Sequence, residues 1–297
     1  MDTATPVTDA TWELLSSSAA LTAQLVANGQ GVSLGEPQAR LRWEPRQGWQ
    51  SLLPAGDTDA EWVRLYLPLC SAHRGQTITL AHLGQSLDGF IATTSGESCF
   101  VTGPANILHL HRLRALSDAV IVGAGTVAAD NPRLTTRLVS GRNPLRVVLD
   151  PRRRLGADRA VFCDGAAETV RVSLRTVPKL ASSRSGIQEL EVGGNAGEMD
   201  LRELLDQLHA RGCARILIEG GGITVSRFLQ RGLLDRLQVA VAPLLIGAGR
   251  RGVQVPATGE LADRLRLDVR FHRMGNDMLY DCPMNLHAEA ARQAATA

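Results

Sequence analysis

From Thr77 onward the chain alternates between short apolar runs and stripes of helical spacing. Ala119–Val122, Leu145–Leu149 and Arg215–Glu219 are apolar almost throughout, as strands covered on both faces are. Thr77–Leu83 and the long Leu237–Ile246 read as two further strands, and Ala160–Cys163 and Thr169–Val172 as two shorter ones. Between them Leu201, Leu204, Leu205 and Leu208 recur at the period of a helix face, with Asp200 and Glu203 forming a capping-box pair and Gly212 as the stop. Pro104–Leu116 is a second helix, with Pro104 near its start and Ile107, Leu108, Leu113 and Leu116 as its apolar stripe. A third helix is expected from about Thr224 to Gln230, and a hairpin turning at Gly275–Asn276 closes the pattern. Strands alternating with helices and ending in a hairpin predict an α/β fold, a mostly parallel sheet with an antiparallel edge.

Residues 1–75 are patterned differently. They hold all four tryptophans, Trp12, Trp43, Trp49 and Trp62. The stretch from Trp12 reads as a helix and Trp62–Leu67 as a strand. The segment is short for an independent domain, which suggests an appendage packed on residues 76–285 or across a dimer interface. The alanine-rich end, 286–297, reads as a flexible tail.

Composition narrows the classes. A formal charge of +2 over 297 residues is too small for a dedicated nucleic-acid binder, so any bound anion must be met by a local cluster. The five cysteines are scattered and odd in number, which argues against a disulfide framework or a structural zinc site and suits the cytoplasm. The N-terminus has no secretory pattern, and no apolar run reaches the length of a membrane span.

Three glycine-rich stretches are candidate phosphate cradles. Gly123-Ala-Gly125-Thr126-Val-Ala128 follows a strand as a dinucleotide-binding fingerprint does, with Asp150 ending the next run where a ribose-binding acid would stand. Pro132 and the polar residues after it leave no room for the crossover helix a Rossmann unit needs. Gly247–Gly252 matches the same pattern, but no helix start follows, so it reads as a flexible basic loop. Gly220-Gly221-Gly222 sits between a buried strand ending at Glu219 and a helix. Free N–H groups there would meet an anion, making it the best cradle of the three.

Several motifs occur in one order: Gly84–Gly89, Ser95–Ser98, Arg112–Arg114, Gly125–Pro132, Leu134–Arg137, Arg146–Asp150, Ile218–Gly222, Gly232–Asp235 and Ala242–Gly247. Together they resemble the reductase domain of riboflavin biosynthesis. The resemblance implies a dihydrofolate-reductase-like fold, a mostly parallel sheet with antiparallel edge strands and flanking helices. It implies NADPH as cofactor, no metal, and a phosphorylated pyrimidine as substrate. The implied reaction converts the ribosyl group of 5-amino-6-(5-phosphoribosylamino)uracil to ribityl, hydride reaching C1′ of the opened imine. It also implies a homodimer. The zinc deaminase domain often fused to this family needs H-x-E and P-C-x-x-C, and residues 1–75 contain neither.

Carried over by motif, Ser98, Arg114, Leu134 and Arg137 align with substrate positions, and guanidinium forks suit a phosphate. Gly84, Phe100, Thr126, Asp130 and Gly220, Gly221, Gly222, Ile223, Thr224 and Val225 align with cofactor positions, Phe100 standing where tryptophan is frequent. Pro151 with Arg152 and Arg153 follows Asp150, where a second strand ends; the cofactor's 2′-phosphate would be met there, unless Arg152–Arg154 is only a solvated run. Asp130 would bond the cofactor, protonate the imine nitrogen, or only cap the turn before Pro132. Asp88 is the other carboxylate to consider as a proton source, beside a plainer role in fixing the turn at Gly89. Glu219 is expected at the substrate edge, accepting from the N–H groups of the triple glycine. His82 is a candidate for the site wall, and His109 and His111 read as structural. Other readings are a pterin or related pyrimidine reductase, for which two phosphate-binding arginines have no purpose, and an NADPH-binding protein without turnover.

Overall fold

The computed structural model describes residues 7–35, 40–98, 101–178, 187–195, 198–256 and 266–284; Phe100 and the tail fall outside them. The chain begins with α1 (Asp9–Asn28), the antiparallel strands β1 (Val32–Leu34), β2 (Leu41–Glu44) and β3 (Gly48–Ser51), and α2 (Ala60–Ser71). Thr8 caps α1, and the hydroxyls of Thr8 and Thr11 donate to Asp59 at 2.7 and 2.5 Å, fastening the start of α1 to the start of α2. Trp62–Leu67 is therefore helix rather than strand. Val63, Tyr66, Leu67 and Cys70 are buried at i, i+3, i+4 and i+7, a helical stripe that the β-branched and aromatic residues disguise.

The main unit continues with β4 (Ile78–Ser86), β5 (Phe90–Thr93), α3 (Pro104–Leu116), β6 (Ala119–Gly123), α4 (Ala124–Asp130), β7 (Leu145–Leu149), α5 (Ala160–Cys163) and β8 (Thr169–Leu174). It ends with β9 (Gln188–Val192), the short pair β10 (Gly194–Asn195) and β11 (Glu198–Met199), α6 (Leu201–Ala210), β12 (Arg215–Glu219), α7 (Gly222–Gln230), β13 (Arg236–Ala242), β14 (Gly249–Arg251), β15 (Arg270–Met274) and β16 (Asp277–Pro283). Nine strands form one sheet in the order β15-β16-β13-β4-β12-β6-β7-β8-β9. All its pairs are parallel except β13–β16 and β15–β16, so the hairpin supplies the antiparallel edge. The mixed α/β class follows the reading from sequence. Two elements differ: Ala160–Cys163 is a helical turn, and β13 stops at Ala242, where Pro243 brings no N–H to extend the ladder. β6 and β7 are neighbours joined by only the short α4 and a loop, which is not a Rossmann crossover.

Alternation along the central strands divides the core in two. Ala119, Ile121, Val147 and Ile218 face α6 and α7. Val120, Val122, Val148 and Leu217 face the other way, into a cluster shared with Leu113 and Leu116 of α3 and with Trp12, Leu15, Trp43, Trp49 and Tyr66. α3 is thus covered twice, by the sheet and by α1 and α2. That is why its polar residues are buried and must find partners. The Tyr66 hydroxyl bonds His109 Nδ1 at 2.6 Å, and His109 Nε2 bonds Gln238 Oε1 at 2.9 Å. Arg112 donates to the Val7 carbonyl at 2.9 Å and lies over the Trp12 ring. Among the described residues no helix is long and apolar enough to cross a membrane.

Candidate active site

In an open parallel sheet the ligand site lies beyond the carboxyl ends of the strands. Here β4, β12, β6 and β7 end at Gly84–Ser86, Glu219, Gly123 and Leu149 around a cavity of about 1150 Å³, room for a dinucleotide and a small substrate together. The two glycine loops meet in it. The Gly221 N–H donates to Thr126 Oγ1 at 2.9 Å. Gly220 has φ +106°, and a Cβ there would stand 3.0 Å from the same Thr126 oxygen, so only glycine fits both backbone and contact. A Cβ on Gly123 would come within 2.5 Å of Thr224 Oγ1, which closes the junction from the other side. No side chain caps α7, so its first N–H groups remain for an anion at the positive end of the helix. Gly220, Gly221, Gly222, Ile223, Thr224, Gly84, Thr126, Asp130 and Pro151 all line the cavity.

Arg152, Arg154, Arg227, Arg250 and Arg251 also line it. Their charge suits a cofactor carrying several phosphates. The arginine run after Pro151 is divided. Arg153 is buried, at φ +51°, and ion-paired to Glu189 and Glu191 of β9. Asp150 accepts from the backbone N–H groups of Arg154 and Leu155 at 2.9 and 3.0 Å. It fixes this turn rather than reaching a ribose.

The residues expected on the substrate side lie at the opposite rim. Arg114 Nε and Nη2 meet Glu219 Oε1 and Oε2 at 2.8 and 2.7 Å, a two-pronged pair of which 7% and 5% is exposed. Burial acts to lower the Arg114 pKa, but Glu219 outweighs it and holds the guanidinium protonated. Glu219 therefore answers Arg114, not the glycines, whose Gly221 N–H is taken by Thr126. Arg114 Nη1 donates to the Thr135 carbonyl at 3.2 Å, and Arg137 Nη1 to Thr135 Oγ1 at 2.8 Å. Arg137 is exposed and stands outside the cavity lining, its backbone N–H fixed on His111 Nδ1 at 2.9 Å. With Arg114 neutralised, Arg137 is an exposed positive charge beside this rim, with Arg133 near it. Ser98 donates to Asp130 Oδ1 at 3.1 Å, and Leu134, buried at φ +55°, lines the wall between them.

Two expected residues are elsewhere. Asp88 lies outside the cavity lining. It accepts from Ser86 Oγ at 2.5 Å and from the Gly247 N–H at 2.7 Å, and these bonds hold its carboxyl below the usual range. Such a group fixes the turn and is a poor proton source. The Val225 side chain is fully buried in the core, so only its backbone can serve a ligand. Conversely, the Gly247–Gly252 loop is not idle: β14 pairs with β5 and brings Arg250 and Arg251 to the cavity. That role rests on strand pairing between distant segments, which local spacing does not signal. His82 and Asn106 also line the wall. Burial pushes the His82 pKa down to about 4.

Comparison with known proteins agrees with this fold. The model of the RibD C-terminal domain family matches residues 77–280. The 2,5-diamino-6-ribosylamino-4(3H)-pyrimidinone 5′-phosphate reductase of Methanothermobacter thermautotrophicus is 34% identical over 208 residues, 68% of this chain and 95% of that protein. Riboflavin biosynthesis protein RibD of Aquifex aeolicus is 32% identical over 167 residues, but these span only 46% of its length. Among solved structures, Acinetobacter baumannii RibD superposes with a TM-score of 0.61 at 28% identity, over 76% of this chain and 63% of that one.

Proposed function

The chain belongs to the RibD C-terminal domain family, and from that membership we propose that it is an NADPH-dependent reductase of a phosphoribosylaminopyrimidine in riboflavin biosynthesis. The substrate we assign is 5-amino-6-(5-phosphoribosylamino)uracil, whose ribosyl side chain becomes ribityl. A second reading, the 2,5-diaminopyrimidinone analogue with an amino group in place of the uracil's 2-oxo group, is favoured by the name of the Methanothermobacter relative. The observation that carries the proposal is the junction of the two glycine loops through Thr126 and Gly221 opposite a rim holding Arg114, Glu219 and Ser98.

The bound nicotinamide supplies a hydride; the protein supplies position and charge. The N–H groups at the start of α7 hold pyrophosphate, and Arg152 and Arg154 beside Pro151 meet the 2′-phosphate that separates NADPH from NADH. Gly84 and Thr126, which line the cavity, would border the nicotinamide end. Ser98 and Arg137 hold the sugar phosphate. Arg114 fixes the Glu219 carboxylate at the substrate edge, and Asp130 has the ribose or the imine nitrogen within its reach. We further propose a cytoplasmic homodimer. The four described cysteines are free thiols, which suits a reducing compartment. Phe271, Met278 and Tyr280 make an exposed apolar row on the hairpin, a face suited to a second copy. The test is NADPH oxidation by purified protein with each pyrimidine in turn. Oxidation with one or both supports the reading. Turnover with a dihydropterin but neither phosphoribosyl compound overturns it.

A further inference from the structure

Residues 1–75 lie outside the family match, yet they touch the loop that carries the proposed substrate residues. The indole Nε1–H of Trp12, on α1, donates to the carbonyl of Ser140 at 3.1 Å. Ser140 belongs to the loop 131–144 between α4 and β7, which also holds Leu134 and Arg137. This loop is closed on itself: the Thr136 N–H donates to Asn143 Oδ1 at 2.8 Å and its hydroxyl to the Arg142 carbonyl at 3.0 Å. A pull at Ser140 is therefore transmitted to Thr136 and Arg137. The inner side of the loop rests on α3, through the Arg137 N–H on His111 and through Gly141, where a Cβ would meet Ala115 Cβ at 2.6 Å. Val139 packs into the cluster that contains Trp12.

The loop needs such holding. Asn131 and Leu134 both have positive φ, +41° and +55°. A bulky residue in that region costs on the order of 1–3 kcal/mol and persists only where surrounding contacts fix it. Some contacts come from α3. Others come from the Ala160 N–H on Asn131 Oδ1, from Arg142 on Asp118 and from Asn143 on the Ala166 carbonyl. On the outer side α1 adds the Trp12 bond to Ser140, and α1 is itself locked by Thr8 and Thr11 on Asp59 and by Arg112 on the Val7 carbonyl.

We propose that the N-terminal segment braces the loop bearing Leu134 and Arg137 from behind, and that Trp12 is a positioning residue for that loop. The inference rests on the functional reading above for the identity of the substrate, but not for the binding of a sugar phosphate. Trp12→Phe keeps the ring and removes only the N–H donor. It is expected to raise KM for the phosphorylated pyrimidine about three- to tenfold, the worth of one hydrogen bond. Turnover at saturation and NADPH affinity are expected to stay unchanged. Amide exchange is expected to quicken over 133–140 and not over 220–225. An unchanged KM overturns the proposal. So does a parallel fall in turnover, NADPH affinity and thermal stability, which would mean a packing role alone. The wild-type protein gives a second measurement that needs no variant. Coupling is reciprocal, so ribose 5-phosphate is expected to slow amide exchange at residues 9–15; binding without that protection also overturns it. If wild type binds ribose 5-phosphate but reduces neither pyrimidine, the functional reading fails and this one stands.

Discussion

At the scale of single residues, the site depends on which charges are spent within the protein. Arg114 and Glu219 neutralise each other in a buried pair, and breaking such a pair typically costs about 3–5 kcal/mol because one charge is left uncompensated. Glu219→Ala is therefore expected to lower the melting temperature markedly as well as the rate, which calorimetry checks. Arg137 is exposed, and no carboxylate is ion-paired to it among the described residues. Arg137→Ala is expected to raise KM for the phosphorylated substrate roughly ten- to a hundredfold, the range of a charge-assisted contact, with the melting temperature unmoved. Histidines set the response to acid. His82 is held near 4 and His109 well below its ordinary value, chiefly by burial. Both are neutral in the folded protein, while in the unfolded chain they take up protons below about 6.5. The unfolded state thus binds more protons between those limits, and stability falls as pH falls from about 6.5, by up to about 1.4 kcal/mol per pH unit for each. A melting temperature that does not drop between pH 7 and pH 5 would refute this.

At the scale of elements, the sequence carried most of the reductase unit. The boundaries of α3 and β12 match the sequence reading, because Pro104 and the uniform apolar run ending at Glu219 are local signals. α2 reads as a strand because Trp, Val and Tyr favour strands until their i, i+3, i+4 spacing is weighed. The site was legible where a glycine or a cap encodes it, as at Gly220, and illegible where partners are distant. Nothing near Asp88 announces its bonds to Ile246 and Gly247, and nothing near Arg250 announces β5. The glycine junction gives the element-scale prediction. Gly220→Ala would hold a Cβ at φ +106° against Thr126. It is expected to weaken NADPH binding tenfold or more, measured by titration, with the far-ultraviolet spectrum unchanged.

At the scale of the whole molecule, one sheet organises two layers that do different work. The layer of α6 and α7 presents the helix start proposed to meet an anion, and the layer of α1, α2 and α3 supports the rim proposed for the substrate. The N-terminal segment shares its core with the sheet, so it is not a detachable module. Tyr66→Phe, which removes the α2 hydroxyl from His109, is expected to cost about 1–3 kcal/mol of stability by leaving a buried ring nitrogen unpaired, as denaturant titration would register. The central claim is that both layers converge on hydride transfer to a sugar carbon, and product analysis with NADPH deuterated at the reactive C4 position tests it most directly. The account predicts one deuterium at C1′ of the ribityl chain; NADPH consumed with deuterium on the pyrimidine ring, or none in the product, would contradict it.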